Sequence, residues 1–277
     1  MKQTLSPEVK DLALRIYQRI GTPLARNLID AVHRGDWDTI ATCKVDPKAY
    51  TSSQQYFLDA SAASLLRKYK DLPCTFDKEG SALQSWRAGE VDCFNTNERL
   101  SPYLEGLTHP RCNGDVMHHI GRIREKIAHV LGRAPSMDDL RPKHGPGATF
   151  SDKSVCATVA HKMQNEASLT SSAVWFLLDW VGTAWGREAL SRNARPVFVR
   201  GNRFSTAPKD STKDRPIAVE PSVNVFYQLA LGLEVRRRLK RVGIDLDMGQ
   251  DAHRLLARKS SMSGILATLD LKNASDT

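Results

Sequence analysis

Two acids near the C-terminal end are the residues in this chain best placed to do chemistry. Gly264 to Thr277 reads GILATLDLKNASDT. Ile265 to Leu269 alternate and are apolar or β-branched, the pattern of a buried strand. Ile265, Ala267 and Leu269 would face one side, Leu266 and Thr268 the other. That strand runs straight into Asp270, where a carboxylate is costly unless a Lys or a metal ion meets it. A second acid, Asp276, follows a small polar run. A strand that ends in an acid, with another acid close behind, has the form of a catalytic edge whose other half lies elsewhere.

Two groups of cations could handle phosphate. Ala207 to Pro221 reads APKDSTKDRPIAVEP, in which Lys209, Lys213 and Arg215 alternate with Asp210 and Asp214. Cations on an extended segment leading into a strand can line a channel and grip a triphosphate. A solvated loop with local Lys–Asp pairs is the alternative. The second group, Arg236, Arg237, Arg238, Lys240 and Arg241, ends a helical pattern. Cations there suit the helix dipole, but this density exceeds what capping needs and suits a phosphate-tracking role, with a solvated face as the alternative. A third feature is Gly145-Pro146-Gly147 beside Arg141, Lys143 and His144. Such a turn lets backbone N–H groups approach phosphates, or is a plain surface turn. His118, His119 and His129 do not have the spacing of a zinc site.

The elements that must position these residues are mostly helical. Ser6-Pro7-Glu8 starts one helix, and Gly21-Thr22-Pro23 ends it and caps the next. Gly35 to Tyr50 reads as a connecting loop and Ser52 to Tyr69 as a third helix. Between Lys70 and Pro110, with breaks at Pro73, Gly80 and Gly89, a short helix is expected around Ala82 to Arg87. Asn113 or Asp115 caps an amphipathic helix bearing Val116, Ile120, Ile123, Ile127, Val130 and Leu131, stopped by Gly132. Ser168 to Leu190 reads as helical. Pro196 to Thr206 reads as a hairpin turning at Gly201-Asn202. A strand is expected over Ile217 to Val219, a helix capped by Ser222 and stopped by Gly243, and a short helix over Asp251 to Lys259.

Composition frames these readings. The chain has 277 residues, 41% of them hydrophobic, enough to bury a substantial core. Its formal net charge of +9 favours a polyanionic partner such as nucleic acid. The five cysteines are odd in number and widely spaced, with no CxxC, which argues against a disulfide framework or a structural zinc site and suits a reducing cytoplasm. There is no signal-peptide core at the N-terminus and no apolar run of about 18 residues that could span a bilayer. Walker, GxGxxG, HExxH and GxSxG motifs are all missing.

Taken together, several segments resemble a known family. Lys209 to Pro221, Phe226-Tyr227-Gln228-Leu229, Gly243-Ile244-Asp245-Leu246 and Leu266 to Thr277 come in the order and spacing of the replicase of the single-stranded RNA bacteriophages (leviviruses, Qβ type). Asn97-Glu98-Arg99-Leu100 and Gly145-Pro146-Gly147-Ala148-Thr149 look like landmarks of the same family. The resemblance implies an RNA-directed RNA polymerase with fingers, palm and thumb. On that basis the fold is expected to be α+β and mostly helical, the fingers region with only the first palm strand. Residues 1–110 would be an N-terminal helical region, 111–263 the fingers, and 264–277 the start of the palm. The resemblance gives Asp270 the role of metal-binding catalytic acid, and Asp276 that of reading the ribose 2′-hydroxyl. Lys209, Lys213 and Arg215 would contact the incoming triphosphate, although the family usually has a basic residue directly before Thr-Asp-Arg, whereas here Thr212 precedes Lys213.

The implied reaction is Mg²⁺-dependent addition of ribonucleoside triphosphates to an RNA 3′ end, in the cytoplasm of a bacterial host. A two-metal site needs carboxylates from a second palm motif with Gly-Asp-Asp; these residues lack one, so the chain is expected to be an inactive part of an enzyme. The resemblance also implies host elongation factors Tu and Ts and ribosomal protein S1 as partners. The alternatives are a non-catalytic module binding single-stranded RNA and, further off, part of a reverse transcriptase, against which Asp276 argues.

Overall fold

A computed structural model of the chain describes residues 5–105, 109–153, 157–267 and 269. These fall into two compact units: residues up to Gly89 together with Ser205–Ile217, and Glu90–Phe204 together with the residues from Ala218 onward. The architecture is mostly helical with two small sheets, as an α+β reading expects.

The first unit is a helical cluster of α1 (Pro7–Ile20), α2 (Pro23–Arg34), α3 (Trp37–Thr42) and α4 (Ser53–Arg67). Local chemistry sets its boundaries. The Ser6 hydroxyl accepts from the Val9 N–H at 3.3 Å and the Thr22 hydroxyl from Ala25 at 3.2 Å. Gly21 and Gly35 close α1 and α2 in the left-handed conformation, with φ of 68° and 69°. The apolar stripes meet in a core that includes Tyr17, Leu28, Val32, Ile40, Ala62 and Leu66. The expected loop over 35–50 instead contains α3. Asp36 caps it, accepting from Thr39 N at 3.2 Å, and Ile40 and Ala41 are buried, so one helical turn survives on tertiary packing.

A long helix, α5 (Lys78–Glu105), replaces the short one expected around 82–87 and passes from one unit into the other. The helix continues through Gly80 and Gly89, which cost propensity but do not terminate it. Pro102 lies inside it. A proline there leaves the carbonyl four residues back without its helical donor; here the Ser101 hydroxyl donates to the Glu98 carbonyl at 3.0 Å in its place.

The second unit continues with α6 (Gly114–Leu131), capped by Asn113 and stopped at Gly132, and α7 (Val159–Gln164). The stretch 168–190 is not one helix. It holds a strand, β1 (Ser168–Thr170), a 3₁₀ segment over Ser171–Phe176, and two short helices, α8 (Leu177–Gly182) and α9 (Ala184–Ser191). The break at Thr183 is sealed by its hydroxyl, which accepts from the Gly186 N–H at 3.0 Å. Next along the chain come β2 (Val197–Val199), then β3 (Arg203–Pro208) and β4 (Asp214–Val219), most of whose residues belong to the first unit, and then, in the second unit again, α10 (Ser222–Arg241) and α11 (Gly249–Ser263).

The hairpin expected at Gly201-Asn202 does not form, because the two strands it would join belong to different sheets. β2 pairs in parallel with β1, Leu169 opposite Phe198, while β3 pairs with β4. The five-residue connection between β3 and β4 is too short for a crossover, so that pair is an antiparallel ribbon. Ser222 does not cap α10 either; Pro221 stands at the cap. The Ser222 hydroxyl is occupied by β1: Ser168 N donates to it at 2.9 Å, and Ser222 N donates to the Ser168 hydroxyl at 3.1 Å. Asn224 and Thr170 make a second exchange, at 3.1 and 2.8 Å. Around these pairs lies an aromatic core of Trp180, Trp185, Phe226 and Tyr227, with ring centroids 5.3–5.5 Å apart from one to the next.

The final strand expected over 265–269 is not seen among the described residues. Residues 264–267 and 269 are irregular, and Ile265 and Leu269 are exposed. An alternating segment becomes a strand only when a neighbour pairs with it, and none of the described strands does. Thr268, Asp270 and Asp276 lie outside the described residues.

Candidate nucleotide and RNA interface

The ribbon β3–β4 displays the first cation group. Its connection, Lys209 to Lys213, is organised by Asp210. The Asp210 N–H donates to the Lys213 carbonyl at 3.2 Å. Its carboxylate accepts from Thr212 N at 3.0 Å, the Thr212 hydroxyl at 2.8 Å and Lys213 N at 3.1 Å. Burial pushes this carboxyl up, but the bonds from Thr212 and Lys213 outweigh it and hold the group below the usual carboxylate range. At the centre of the turn Ser211 is fully buried, and its N–H donates to the Arg67 carbonyl at the end of α4 at 3.0 Å.

With the turn fixed from within, Lys209, Lys213 and Arg215 stand in solvent. Lys213, Arg215 and Ile217 are exposed in alternation with half-buried Asp214 and Pro216, so one face of β4 carries the charge. None of the three cations has an acid partner among the described residues. The local Lys–Asp ion pairs of the alternative reading are not seen among the described residues: Asp210 Oδ1 accepts from the Thr212 and Lys213 N–H groups. Thr212 is one of the donors that hold it.

The second group, at the end of α10, is arranged differently. The Arg237 guanidinium forks onto Glu234, Nε to Oε2 at 2.7 Å and Nη2 to Oε1 at 2.8 Å. Arg238 Nε donates to the same carboxylate at 2.6 Å, and its Nη1 donates to the carbonyls of Leu131, the last residue of α6, and of Arg133 just beyond it. Arg236 meets Asp247 at 3.4 Å and Lys240 meets Asp245 at 2.9 Å. Arg241 alone of the five is exposed with no acid partner among the described residues. Bonds from Arg237 first and Arg238 second pull the buried Glu234 carboxyl down to about 2. The sequence carried the signal for this: Glu234 precedes Arg237 by three and Arg238 by four, the two spacings that meet on a helix.

The Gly145–Gly147 turn is fastened from below. Lys162 on α7 is buried, and its Nζ donates to the carbonyls of Gly145 and Gly147, both at 2.5 Å. A Cβ at Gly145 would come within 3.2 Å of the Leu229 side chain, so glycine serves a close approach there. The adjoining His144 ring packs on Trp185 and Phe226, with centroids 4.7 and 5.0 Å away. Burial and then the Lys162 charge push its pKa below the usual value. With its carbonyls turned inward, this loop has a structural role that the sequence left open.

Among the described residues no cluster of three or more His, Cys, Asp or Glu side chains could hold a metal ion. The described residues therefore do not form a two-metal site, and the Mg²⁺ expectation rests on Asp270. Nor is any described helix long and apolar enough to cross a membrane.

Cations without acid partners among the described residues, lifted on a buttressed β-ribbon, are an arrangement that suits a polyanionic ligand. Comparison with known proteins gives the family. The sequence pattern of the family described as RNA replicase, beta-chain matches residues 14–277, and the chain belongs to that family. It is 27% identical over 284 residues to the RNA-directed RNA polymerase subunit beta of Escherichia virus Qbeta, a match covering 100% of this chain and 46% of that protein. The subunit of the same name from Enterobacteria phage SP is 33% identical over 218 residues, covering 78% of this chain and 37% of that protein. The RNA-directed RNA polymerase beta chain of Escherichia phage MS2 is 37% identical over 135 residues, 47% of this chain and 25% of its own length. The chain thus spans less than half the length of these relatives.

Proposed function

We propose that this chain contributes the fingers of a right-hand polymerase that copies RNA into RNA from ribonucleoside triphosphates. The observation that carries the reading is the ribbon: three exposed cations without acid partners among the described residues, on a turn whose Asp210 accepts from its own backbone. In this reading Lys209, Lys213 and Arg215 receive the triphosphate. A guanidinium gives paired, charge-assisted bonds to phosphate oxygens, so Arg215 is the main anchor. The cluster Arg236, Arg237, Arg238, Lys240 and Arg241 lies against RNA, with Arg241 the most available and Arg238 committed to the fold. Asp270 is the metal-binding acid and Asp276 the reader of the ribose 2′-hydroxyl. Bound Mg²⁺ would supply Lewis-acid stabilisation of the phosphoryl oxygens. Residues 264–277 begin the palm on this reading, and one acid cannot hold two ions, so the 277-residue chain should bind RNA without extending it.

The test is binding and extension by the purified chain. Single-stranded RNA binding should weaken steeply with salt, because phosphate contacts release counterions. Salt-independent binding, or Mg²⁺-dependent primer extension by this chain alone, would contradict the proposal. In a full-length relative-sized enzyme carrying this region, Arg215→Ala should raise the KM for nucleotide more than it weakens RNA binding.

A further inference from the structure

A third basic stretch lies outside both groups already described. Arg195 to Arg203 reads RPVFVRGNR: three arginines and no acid in a short run. It comprises β2, the approach to it, and the turn into β3. Arg195 and Arg200 are exposed, and no ion pair engages Arg195, Arg200 or Arg203 among the described residues. One acid does come near the turn: Glu220 accepts from Asn202 at 3.3 Å and from Gln228 at 3.5 Å, so it meets amides and not the guanidinium groups.

Two further observations point to a ligand. Phe198 stands at the middle of β2 with 54% of its surface exposed, although Leu169, its register partner on β1, is fully buried. A lone exposed apolar residue means little, but an exposed ring flanked in sequence by two unpaired arginines is the arrangement on which bases of single strands stack. Separately, Arg203 Nε is buried with no hydrogen-bond acceptor among the described residues. A desolvated guanidinium N–H without an acceptor is costly, and a phosphate oxygen would satisfy it.

We propose that Arg195–Arg203 is a binding strip for single-stranded RNA, with Phe198 as the base-stacking platform and Arg195, Arg200 and Arg203 as its phosphate contacts. The proposal rests on the reading of the chain as an RNA-handling protein and adds residues other than the ribbon cations Lys209, Lys213 and Arg215 and the α10 cluster, Arg203 being the residue at which β3 begins. Stacking tolerates any base, so the strip should prefer single strands over duplex and show little sequence preference.

The experiment uses the full 277-residue chain and a short unstructured oligoribonucleotide carrying 2-aminopurine, with a duplex of the same length as control. Phe198→Ala should weaken single-strand binding about tenfold, abolish the quenching of 2-aminopurine that stacking produces, and leave duplex binding and the thermal melt unchanged. Phe198→Tyr should restore both affinity and quenching. Arg195→Gln and Arg200→Gln should each lower the slope of log affinity against log salt by about 0.7, the single-strand value per phosphate contact. If the parent chain binds no RNA, the polymerase reading and the strip both fail. If the parent binds and Phe198→Ala binds and quenches equally well, the strip alone is wrong. Phe198→Ala losing single-strand and duplex binding in parallel would also overturn it, as would a preference for an apolar protein surface over RNA.

Discussion

The ribbon and the end of α10 look alike in sequence and unlike in space. Each is a dense group of cations with acids nearby. In the ribbon, Asp210 turns its carboxylate onto backbone N–H groups, and among the described residues Lys209, Lys213 and Arg215 have no ion-pair partner. At the helix end, Glu234, Asp245 and Asp247 between them engage Arg236, Arg237, Arg238 and Lys240. The lesson concerns what a phosphate would meet. An unpaired lysine exchanges only water and counterions for phosphate. A paired one must first give up its carboxylate, so much of the attraction cancels. Cation density is therefore a poor guide to an RNA surface, and the fate of the neighbouring acids is a better one.

That contrast can be broken at its strongest point first. Arg238 is a structural ion-pair partner, only 12% of its side chain being exposed. Arg238→Met should destabilise the chain by about 3 kcal/mol, since it strips one partner from a buried carboxylate and a donor from two carbonyls. Arg215→Ala should stay within about 0.5 kcal/mol of the parent. Urea denaturation of both variants decides; equal losses would erase the distinction.

The next effect is one of pH. Glu234 titrates lower in the folded chain than in the unfolded one, so its contribution is complete above the unfolded value of about 4.3. It is lost as pH falls towards the folded value of about 2. The stability gap between the parent and Glu234→Gln should therefore be widest near neutrality and close across that window. A gap that stays constant would mean the carboxylate is not held by its arginines.

For ligand binding the sizes reverse. The double variant Lys213→Ala with Arg215→Ala should lose about tenfold or more in affinity for inorganic triphosphate, given the strength of charge-assisted bonds. Arg236→Gln with Lys240→Gln should change it less than twofold by the same titration. The smallest expected effect sharpens the picture within the helix end itself. Arg241→Gln should lower the salt slope of RNA binding by about 0.7, and Arg236→Gln by less, because Arg236 already has Asp247.

The ribbon and the helix end also show how much could be read beforehand. The caps at Ser6, Thr22 and Asn113 and the stops at Gly21 and Gly132 act through their own few neighbours, and the sequence shows them directly. α3 and the length of α5 depend on packing and on a Ser101 hydroxyl substituting for a lost N–H, which periodicity does not register. The break-up of 168–190 and the separation of β2 from β3 depend on Ser168–Ser222 and Thr170–Asn224, partners 54 residues apart. For the candidate site, the identity of the cations was legible and their pairing state was not. The i,i+3 and i,i+4 spacing of Glu234 could have revealed half of it. The family landmarks read from the motifs agree with the match over 14–277, whereas the roles of Asp270 and Asp276 stay with the proposal.

The buried Ser211 has a consequence for how this segment can vary. Its N–H is tied to Arg67, and Asp210 closes the turn around it, so the connection is pinned at its midpoint. Side chains on β4 alternate, so inserting a single residue between Ser211 and Lys213 would slip the strand by one position. Lys213 and Arg215 would turn inward, and Asp214 would take their place in solvent. Substitution of Lys209 would cost one charge; a change of length would invert the sign of the whole face. The segment should thus accept changes of letter far more readily than changes of count, a constraint on its spelling that comes from a serine carrying no charge at all.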